Sequence, residues 1–399
     1  MEKQKNRNMD LDAFRHLVDT YLPDHKKLKM IQVAGTNGKG STCTWLSLLL
    51  QKLGFVTGVF TSPHLICHNE RISIDQAMIS DADLERLIDR YMPLFEEKAF
   101  TMFEMDLFLA LAYFLERKVD YAIMEVGLGG RLDATTALDY QATLLTHIGL
   151  EHTEILGDTK EKIAWEKSGI FKPGTPALTC EEDPDCQAVL EQRARQVRCP
   201  LYYSYMPFYE EWEHKLFFEY RDGTLVFDHP AYQIKNFVLA CDTLYHLGFR
   251  LRYPMLQETI DAFSFAGRCM VLRKDPLILV DGAHNEDGIE ALVSSLKTWD
   301  GDIYFSVLKE KDANLMIETL KTLSDSITLV NFENDRLYPL ETLGYPILSM
   351  DTLKERLSST RRPSLVCGSL YFVGEVMKLL AGPQDTHSVP GYEAGSPSR

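Results

Sequence analysis

The sequence VAGTNGKGST, at residues 33–42, joins a run with strand character, residues 28–34, to an amphipathic run, residues 42–53. Gly54 follows the amphipathic run and is a typical helix stop. A strand, a glycine-rich turn and a helix in this order form a cradle for phosphate, because the glycines let backbone N–H groups face an anion and the helix N-terminus carries partial positive charge. Lys39 adds a full positive charge to this cradle.

The spacing within the turn differs from that of the standard P-loop, which reads G-x-x-x-x-G-K-[ST]. Here the order is G-x-x-G-K-G-S, with Gly40 inserted between Lys39 and Ser41. The lysine and the serine still stand where a triphosphate and its Mg²⁺ need them. A strand-to-helix turn without a ligand is the alternative, but these two residue types favour nucleotide binding.

The size and composition of the chain indicate a soluble protein of two domains. A length of 399 residues is long for a single core. The proportions of hydrophobic residues, 45%, and of charged residues, 25%, are those of a soluble globular protein. The net charge of −16 argues against general binding of nucleic acid, although a local basic cleft can still accept an anionic small substrate.

The cysteines and the hydropathy pattern indicate a cellular location. The eight cysteines include no C-x-x-C pair, which indicates reduced thiols and neither a disulfide framework nor a zinc site. The N-terminus lacks the apolar segment of a signal peptide, and no run approaches 18 apolar residues. We therefore expect a cytoplasmic protein, monomeric and without a membrane or nucleic-acid partner.

Polar side chains follow each of the first buried strands that the pattern predicts. The predicted strands and the groups that follow them are 28–34 with Lys39 and Ser41, 55–60 with Ser62, 119–124 with Glu125, and 142–146 with His147 and His152. Taken singly, such a residue is more often a helix cap or a hydrogen-bonded loop residue. In parallel α/β sheets, however, ligands bind at the carboxyl ends of the strands. The fold class is therefore α/β with a mostly parallel sheet, and its ligand site lies at this edge.

The remainder of the chain predicts a peripheral hairpin and a second domain. Residues 201–227 are aromatic-rich with period-2 stretches and a turn at Asp222-Gly223. A strand over 277–280 then ends in DGAHN, and strands alternate with helices beyond it. We predict a first domain over residues 1–265, a second over 266–383, and a disordered tail over 384–399 that is rich in Pro, Gly and Ser.

Separated motifs lie along nearly the whole chain in a recognisable order. They are GTNGKGS at 35–41, TSPH at 61–64, NERI at 69–72, EVGLGGRLDAT at 125–135, THIGLEHTEILGDT at 146–159, EKSGIFKPG at 166–174, AGR at 266–268, DGAHN at 281–285 and GSLYFVGEV at 368–376. In this set and order the chain resembles the folylpolyglutamate synthase/dihydrofolate synthase family of Mur-ligase-like, ATP-dependent amide ligases.

The resemblance implies a fold, a reaction and a set of ligands. It implies an N-terminal P-loop ATPase domain and a smaller Rossmann-like C-terminal domain, with the active site between them. The implied reaction joins a dihydropteroate or folate carboxylate to the amino group of L-glutamate, with hydrolysis of ATP to ADP and phosphate. ATP and one or two Mg²⁺ ions are the implied cofactors, and K⁺ is a further candidate.

The resemblance also assigns roles to residues that match the family motifs. The implied nucleotide-binding residues are Gly35, Thr36, Asn37, Gly38, Lys39, Gly40, Ser41, Asn236, Arg268 and Asp281. The implied metal ligands are Ser41, Ser62, Glu125 and His152, and the implied catalytic residues are Lys39, Glu125, His152, Lys167 and His284. The implied folate-binding residues are Arg71, Thr101, Phe103, Gly130, Arg131 and Asp133.

Lys167 has a special place in this set, because the family's matching lysine is carbamylated by CO₂. Carbamylation would turn an ammonium that repels a metal ion into an anionic oxygen ligand. From spacing alone, a surface lysine that complements the C-terminal end of a helix is an equally good interpretation.

The chain departs from the usual family pattern at three positions. Thr136 stands where the family often has asparagine, Ala266 where it often has proline, and Met270 where an acidic residue is common. None of these changes removes an implied phosphate or metal ligand. They bear on substrate range and on the stiffness of the hinge.

The chemistry explains why such residues are needed. A carboxylate does not react with an amine at neutral pH, so phosphorylation to an acyl phosphate must come first. That step brings two anions together, which Lys39 and Mg²⁺ must neutralise. GGRLDAT resembles bifunctional bacterial members, so we expect both dihydrofolate synthase and folylpolyglutamate synthase activity.

Three other functions remain as alternatives. A peptidoglycan-precursor ligase shares the ATPase core but normally carries an additional N-terminal domain for a UDP-sugar, and 34 residues precede Gly35 here. A small-molecule P-loop kinase would not explain DGAHN or a second domain. A nucleotide-dependent switch would keep the phosphate cradle without turnover.

Overall fold

A computed structural model describes residues 10–221 and 223–381 of the chain, so the predicted tail lies outside the described residues. Within these limits the chain forms two compact units. Unit 1 comprises residues 10–64, His68–Asp228 and Gln233–Phe263. Unit 2 comprises Leu65–Cys67, His229–Tyr232 and residues 264–381, so the chain enters unit 2 twice before its last long segment.

The helices and strands of unit 1 alternate for most of its length. The helices are α1 (Leu11–Tyr21), α2 (Lys39–Lys52), α3 (Asp81–Lys98), α4 (Met102–Glu116), α5 (Thr153–Leu156), α6 (Lys160–Lys167), α7 (Pro184–Val197), α8 (Tyr232–His246, whose first residue belongs to unit 2) and α9 (Tyr253–Ala262). The strands are β1 (Lys29–Ala34), β2 (Thr57–Phe60), β3 (Ile72–Ile74), β4 (Ala77–Met78), β5 (Tyr121–Glu125), β6 (Ala142–Leu145), β7 (Ala177–Thr179), β8 (Leu201–Tyr203), β9 (Tyr209–Trp212), β10 (Lys215–Tyr220) and β11 (Gly223–Phe227).

The main sheet of unit 1 has the strand order β4-β3-β2-β5-β1-β6-β7-β8. The pairs from β2 to β8 are parallel, whereas β3 and β4 add an antiparallel edge. The register aligns Val33 of β1 with Glu125 of β5, and Ala34 with Leu145 of β6. The carboxyl ends of the central strands therefore lie side by side, as the polar residues after them predicted.

The central strands are almost wholly apolar because helices cover the sheet. Every residue of β2, β5 and β6 is buried. One core packs α1, α3 and α4 against residues such as Met30 and Met124, and a second packs α6 and α7 against residues such as Leu145. Strands that are buried on both faces lose the polar alternation of a surface strand, which explains their continuous hydrophobic sequence.

The aromatic-rich region forms a small antiparallel sheet of order β11-β10-β9. The predicted turn at Asp222-Gly223 includes Asp222, which lies outside the described residues, and Gly223 is the first residue of β11. A second tight turn, with Glu213 and His214 at φ 48° and 63°, joins β9 to β10. Phe227 of this sheet packs near Trp45 of α2, and Trp45 also stacks on Phe263 at 3.6 Å between ring centroids.

Unit 2 is a second α/β layer structure. Its strands are β12 (Met270–Lys274), β13 (Leu277–Val280), β14 (Asp302–Phe305), β15 (Ile327–Asn331), β16 (Ile347–Ser349) and β17 (Ser364–Cys367), and its helices are α10 (Glu286–Leu296), α11 (Ala313–Lys321), α12 (Met350–Ser359) and α13 (Leu370–Ala381). The strand order is β12-β13-β17-β14-β15-β16, parallel except for β12.

Two cores fill the two faces of this sheet. Successive residues of β17 alternate between them, since Leu365 and Cys367 belong to the core with α10 and α11, and Val366 belongs to the core with α12 and α13. This alternation is the period of two expected for a strand. The predicted strand over 277–280 is thus present, and strands alternate with helices beyond it as predicted.

One boundary differs from the sequence prediction in a way that matters for the site. Helix α2 begins at Lys39 and not at Thr42, because Gly38 adopts the left-handed conformation and serves as the N-cap. Lys39 and Ser41 are therefore in the first helical turn, where free backbone N–H groups gather. Among the described residues, the helices include none long and apolar enough to cross a membrane.

Candidate active site

The turn after β1 approaches its neighbours closely at its two outer glycines. A Cβ at Gly35 would lie 1.7 Å from Thr146 Oγ1, and a Cβ at Gly38 would lie 2.4 Å from Asn236 Oδ1. Gly38 also has a φ of 89°, which side-chain-bearing residues rarely adopt. Glycine is therefore required at both positions, and Asn236, predicted to hold the nucleotide, contacts the turn directly.

Hydrogen bonds tie this turn to the loop after β6. The N–H of Thr36 donates to His147 O at 2.7 Å. The Thr36 hydroxyl donates to Gly149 O at 3.1 Å and accepts from Gly149 N at 3.0 Å. The Thr146 hydroxyl donates to Asn37 O at 2.7 Å. These bonds use the side chains of two buried threonines, so the cradle is held rigidly before any ligand arrives.

Two lysines donate hydrogen bonds to backbone carbonyl oxygens of the turn. Lys39 Nζ donates to Thr36 O at 3.1 Å, and Lys167 Nζ donates to Gly35 O at 2.8 Å. Neither ammonium forms an ion pair with a carboxylate in the part of the chain that the structure describes. Burial, reinforced by the charge of Lys39, lowers the pKa of Lys167 to about 7. Glu151 and Asp133 oppose this decrease, and a bound anion would stabilise both ammonium groups further because it adds negative charge beside them.

The hydroxyl of Ser41 is oriented by a side chain that the sequence prediction missed. Gln233 Nε2 donates to Ser41 Oγ at 3.0 Å, and Trp45 Nε1 donates to Gln233 Oε1 at 3.3 Å. Because an indole nitrogen can only donate, the Gln233 amide must keep this orientation. Ser41 Oγ therefore retains a lone pair for a cation. The sequence signal for Gln233 is its position three residues before Asn236, on one face of α8.

Glu125 is the last residue of β5 and lies beside the cradle through its pairing with Val33. Its side chain is 5% exposed. Ser62 follows the next strand, β2, and His152 precedes α5 in the left-handed conformation, with a φ of 51°. Glu125 thus lies at the carboxyl end of β5, while Ser62 and His152 lie in the segments that follow β2 and β6. Among the described residues, the structure contains no cluster of three or more His, Cys, Asp or Glu suited to a metal ion.

The residues present fit a hard divalent cation. A buried carboxylate, Glu125, and an oriented hydroxyl, Ser41, supply the oxygen donors that Mg²⁺ prefers. With Ser62 and His152, the predicted set comprises two hydroxyls, one carboxylate and one imidazole, and so contains only two residues of the His, Cys, Asp and Glu types. The individual metal roles remain predictions.

The predicted folate residues on α4 have different surroundings. Thr101 caps the helix, with its Oγ1 accepting from Glu104 N at 3.3 Å while its own N–H donates to Glu104 Oε2 at 2.6 Å. The Phe103 ring is half-buried, 5.5 Å between centroids from Phe60, and a Cβ at Gly127 would lie 2.6 Å from it. Phe103 therefore presents an aromatic surface beside the end of β2, whereas the Thr101 hydroxyl is engaged in the cap.

Asp133 holds the glycine-rich turn after β5. Its Oδ2 accepts from the N–H groups of Gly127 and Leu128, both at 3.0 Å. Its Oδ1 accepts from the N–H and the hydroxyl of Thr135, at 3.0 and 2.5 Å. Burial raises the pKa of Asp133, and these hydrogen bonds oppose that rise. With both oxygens engaged, the carboxylate shapes the turn and does not stand open to a ligand.

Gly130 and Arg131 pack against the C-terminal end of α6. A Cβ at Gly130 would lie 2.7 Å from Lys167 O, and Arg131 N donates to Glu166 O at 2.8 Å. The exposed Arg131 guanidinium forms a forked pair with the Glu166 carboxylate, with contacts of 3.0 to 3.2 Å. This turn therefore fixes the end of the helix that carries Lys167.

In unit 2 the predicted residues surround one buried carboxylate. Asp281 Oδ2 accepts from Tyr232 Oη at 2.9 Å and from Cys269 N at 2.7 Å, and its Oδ1 accepts from Ala283 N at 2.8 Å. Burial raises the pKa of Asp281, whereas the positive charge of Arg268 lowers it. The carboxylate is therefore well satisfied within unit 2.

Arg268 and His284 contact the backbone on either side of this carboxylate. Arg268 Nη1 donates to Gly267 O at 3.0 Å, and its guanidinium lies 5.6 Å from the centre of the Phe265 ring. His284 Nδ1 lies 2.8 Å from Gly282 O. A Cβ at Gly282 would lie 2.4 Å from Arg268 Nη1, so the guanidinium packs directly against this glycine.

Comparison with known proteins identifies the family to which this chain belongs. Residues 33–239 match the Mur ligase middle domain. The dihydrofolate synthase/folylpolyglutamate synthase of Bacillus subtilis is 32% identical over 392 residues, which cover 89% of this chain and 91% of that protein. The chain belongs to the folylpolyglutamate synthase/dihydrofolate synthase family.

Further similarities agree with this membership. The folylpolyglutamate synthase of Lacticaseibacillus casei is 30% identical over 391 residues, which cover 89% of this chain and 90% of that protein. A crystal structure of a bifunctional folylpolyglutamate synthase/dihydrofolate synthase, with Mn, AMPPNP and L-glutamate bound, superposes with a TM-score of 0.81 at 27% identity, covering 93% of this chain and 94% of that one. The predicted family, α/β fold class and ligase class are confirmed.

Proposed function

We propose that this chain is an ATP-dependent ligase that joins the carboxylate of dihydropteroate or of a folyl-glutamate to the amino group of L-glutamate. One observation carries the proposal most directly. Lys39 and Lys167 both donate to backbone carbonyls of the turn at the start of α2, and the buried carboxylate of Glu125 lies at the end of the neighbouring strand β5. This arrangement suits a nucleotide's terminal phosphates together with a divalent cation.

The first chemical step requires neutralised charge. Transfer of the γ-phosphoryl group to the substrate carboxylate brings two anions together, and Lys39 supplies positive charge at the point where they meet. Backbone N–H groups of the first turn of α2 add donors for the same phosphates. Bound Mg²⁺, held by Ser41 and Glu125 with Ser62 and His152, would supply further charge neutralisation.

Lys167 fits the proposed carbamylation. Reaction with CO₂ requires the neutral amine, and a pKa of about 7 makes that form abundant near neutral pH. The carbamate would carry negative charge beside Lys39, which removes the repulsion between the two lysines. The Gly130–Arg131 turn holds the end of α6 and so holds this side chain in place.

The second step is attack of the glutamate amine on the acyl phosphate. The carbon–nitrogen bond forms, the carbon–oxygen bond to phosphate breaks, and phosphate leaves. Arg268, His284 and Asp281 on unit 2 are the residues that we propose act here, with Asp281 holding the backbone of Cys269 and Ala283 in position. The proposed domain limits are 1–265 for the ATP-binding domain and 266–383 for the ligase domain.

The test measures ADP release by the purified protein with L-glutamate, Mg²⁺ and K⁺. Dihydropteroate and tetrahydrofolate are supplied separately, and a UDP-sugar peptide substrate is the control for the peptidoglycan-type alternative. We expect release with both folates, which would make the chain bifunctional, and none without glutamate. Release with neither folate contradicts the proposal.

Two further measurements test the remaining expectations. Omission of K⁺ from the assay tests whether K⁺ is a cofactor, and light scattering of the purified protein tests whether it is a monomer.

A pair of variants separates a ligase from a nucleotide-dependent switch. Lys39→Ala removes the phosphate contact, whereas Glu125→Ala removes the proposed metal ligand. A switch without turnover would lose its function chiefly with the first variant. A ligase should lose ADP release with both, while nucleotide binding persists better in Glu125→Ala.

A further inference from the structure

A buried acidic residue, Asp106, lies outside every motif that the sequence analysis assigned. It sits in the middle of α4 with its side chain 5% exposed. Its Oδ2 accepts from Arg71 Nη1 at 2.9 Å, and its Oδ1 contacts His68 Nε2 at 2.8 Å. A buried carboxylate in a helix interior is costly unless it is paired, so these two contacts explain how it is tolerated.

The partners of Asp106 come from one turn of 3₁₀ helix, residues His68–Arg71. Such a helix has three residues per turn, so the side chains of positions 68 and 71 project from the same side. One carboxylate therefore receives both, one on each oxygen. This clamp fixes the loop after β2 against α4.

The guanidinium of Arg71 is held at a second point by a histidine. Arg71 Nε donates to His64 Nδ1 at 3.0 Å. Because His64 Nδ1 accepts this bond, the neutral ring carries its proton on Nε2. With one contact at Nε and another at Nη1, the plane of the guanidinium is fixed as well as its position.

The clamp leaves part of Arg71 available. Two of its five N–H groups are engaged, and the others, on Nη1 and Nη2, form no hydrogen bond to residues 10–221 or 223–381. Its side chain is 15% exposed. Phe103 lies one helical turn before Asp106 on α4, so the aromatic surface and the clamped guanidinium lie along the same side of that helix.

We propose that Asp106 is a positioning residue for the folate substrate. It acts through Arg71, whose fixed guanidinium presents its remaining N–H groups to an acceptor oxygen of a substrate whose ring system lies against Phe103. This inference rests on the proposed function, since it names the part of that site that fixes the substrate. Asp106 does not touch the reacting atoms.

The principal test is Asp106→Asn, which keeps the shape of the side chain and removes its charge. Loss of a charge-assisted contact should loosen Arg71 and raise KM for dihydropteroate or tetrahydrofolate about tenfold. We expect kcat and KM for ATP to stay within about twofold of wild type, because the phosphate cradle is unchanged. Quenching of intrinsic fluorescence by dihydropteroate without ATP gives the same comparison without turnover.

The matched control is Asp83→Asn in α3. Asp83 also accepts from two arginines, Arg86 and Arg117, but it lies on the surface with its side chain 19% exposed. The same substitution there should leave KM for the folate unchanged. An equal rise in KM for both variants, or no rise for Asp106→Asn, overturns the inference.

A double-mutant cycle separates positioning from a merely structural role. If Asp106 acts through Arg71, Asp106→Asn should add nothing to the KM of an Arg71→Lys variant. Effects that add in full overturn the inference. If Asp106→Asn does not fold, the Arg71→Lys variant tests the inference by itself, because lysine keeps the positive charge but lacks the planar guanidinium. A normal KM for the folate in that variant overturns the inference.

The outcome for the wild-type protein distinguishes the two levels of the proposal. A wild-type protein that releases no ADP with any folate contradicts the proposed function, and the positioning role with it. A wild-type protein that turns over while Asp106→Asn keeps its KM contradicts the positioning role alone.

Discussion

At the carboxyl edges of their sheets, the two units bury charged groups of opposite sign, Lys167 in unit 1 and Asp281 in unit 2. At the carboxyl end of β1, Lys39 and Lys167 donate to backbone carbonyls, and neither forms an ion pair with a carboxylate within the described residues. At the carboxyl end of β13, the carboxylate of Asp281 accepts from a tyrosine hydroxyl and two backbone N–H groups. Burial disfavours the charged form at both edges, lowering the pKa of Lys167 and raising that of Asp281.

Both groups are buried, and they differ in their hydrogen-bond partners: Lys167 donates to one backbone carbonyl, whereas Asp281 accepts from three donors. A buried charge that the protein leaves without an opposite charge is tolerated best where a ligand supplies one. A buried charge whose hydrogen bonds are complete is better suited to holding other residues. By this criterion the edge of unit 1 is the better candidate for the phosphate site, whereas Asp281 is better suited to holding the loop around it.

Lys39→Ala should show the largest effect. By analogy with other electrostatic sites, loss of one such group costs roughly 2.7–4 kcal/mol of barrier, or about 10²–10³ in kcat. The measurement is steady-state ADP release with saturating folate and glutamate. Lys52→Ala, at the other end of the same helix and paired with Glu258 on the surface, is the control and should keep its rate. Equal losses would show that helix integrity, and not phosphate contact, is being measured.

Lys167 predicts a pH dependence of stability. Between pH 7 and about 10.5 the unfolded chain binds a proton at this lysine and the folded chain does not, so its contribution to stability rises with pH by up to about 1.4 kcal/mol per unit. Below pH 7 both states are protonated and the contribution is constant. Urea unfolding of wild type and Lys167→Met at pH 7.5 and 9.5, in CO₂-free buffer, measures the difference. A difference that does not change with pH contradicts the lowered pKa.

Two glycines of nearly equal φ sharpen the account of the cradle. Gly38 and Gly54 have φ values of 89° and 88°, but only a Cβ at Gly38 meets another atom, Asn236 Oδ1 at 2.4 Å. Both substitutions by alanine carry a strain of about 1–2 kcal/mol. We expect Gly38→Ala alone to weaken binding of an ATP analogue, by about tenfold, since about 1.4 kcal/mol of contact is lost. Titration calorimetry checks this, and equal affinities for the two variants would contradict it.

Tyr232→Phe should have the smallest effect. It removes one donor from Asp281 and leaves two backbone donors, so we expect a loss of about 1 kcal/mol in the free energy of unfolding. If Asp281 acts by holding its loop, kcat should change little. Tyr220→Phe is the control, since it removes the same kind of bond to the more exposed Asp242, at 2.7 Å. A large fall in kcat for Tyr232→Phe would instead place Asp281 among the groups that meet the substrates.

The sequence predicted the order of the elements and the edge of the sheet where the candidate site lies. Apolar runs such as 119–124 and 142–146 are buried strands, and glycine, lysine and serine follow β1 in the expected turn. The period of the apolar residues indicates which face is buried, and turn residues indicate the backbone conformation. Both features can therefore be predicted from local sequence, without knowledge of tertiary contacts. The short strand β7 was not predicted, because three residues are too few to show a period, and β8, at the start of the predicted hairpin region, pairs with the main sheet instead.

The partners of polar side chains could not be predicted. Thr101 and Asp133 match family positions for folate binding, yet their oxygens accept hydrogen bonds from the protein backbone. Gln233 and Asp106 have no motif, yet they orient Ser41 and Arg71. Whether a polar atom is already hydrogen-bonded depends on residues that are distant in sequence, as Gln233 is from Ser41.

Leu65 gives unit 2 a part that its own long segment does not encode. Residues 65 and 66 pack on the core formed with α12 and α13, where Leu65 Cδ2 lies 3.0 Å from the Cβ position of Gly267 and its carbonyl oxygen lies 2.1 Å from that of Gly374. A fragment that starts at residue 264 would expose this patch to water. Chimeras that exchange unit 2 between relatives should therefore fold only when residues Leu65–Cys67 are exchanged together with the C-terminal segment.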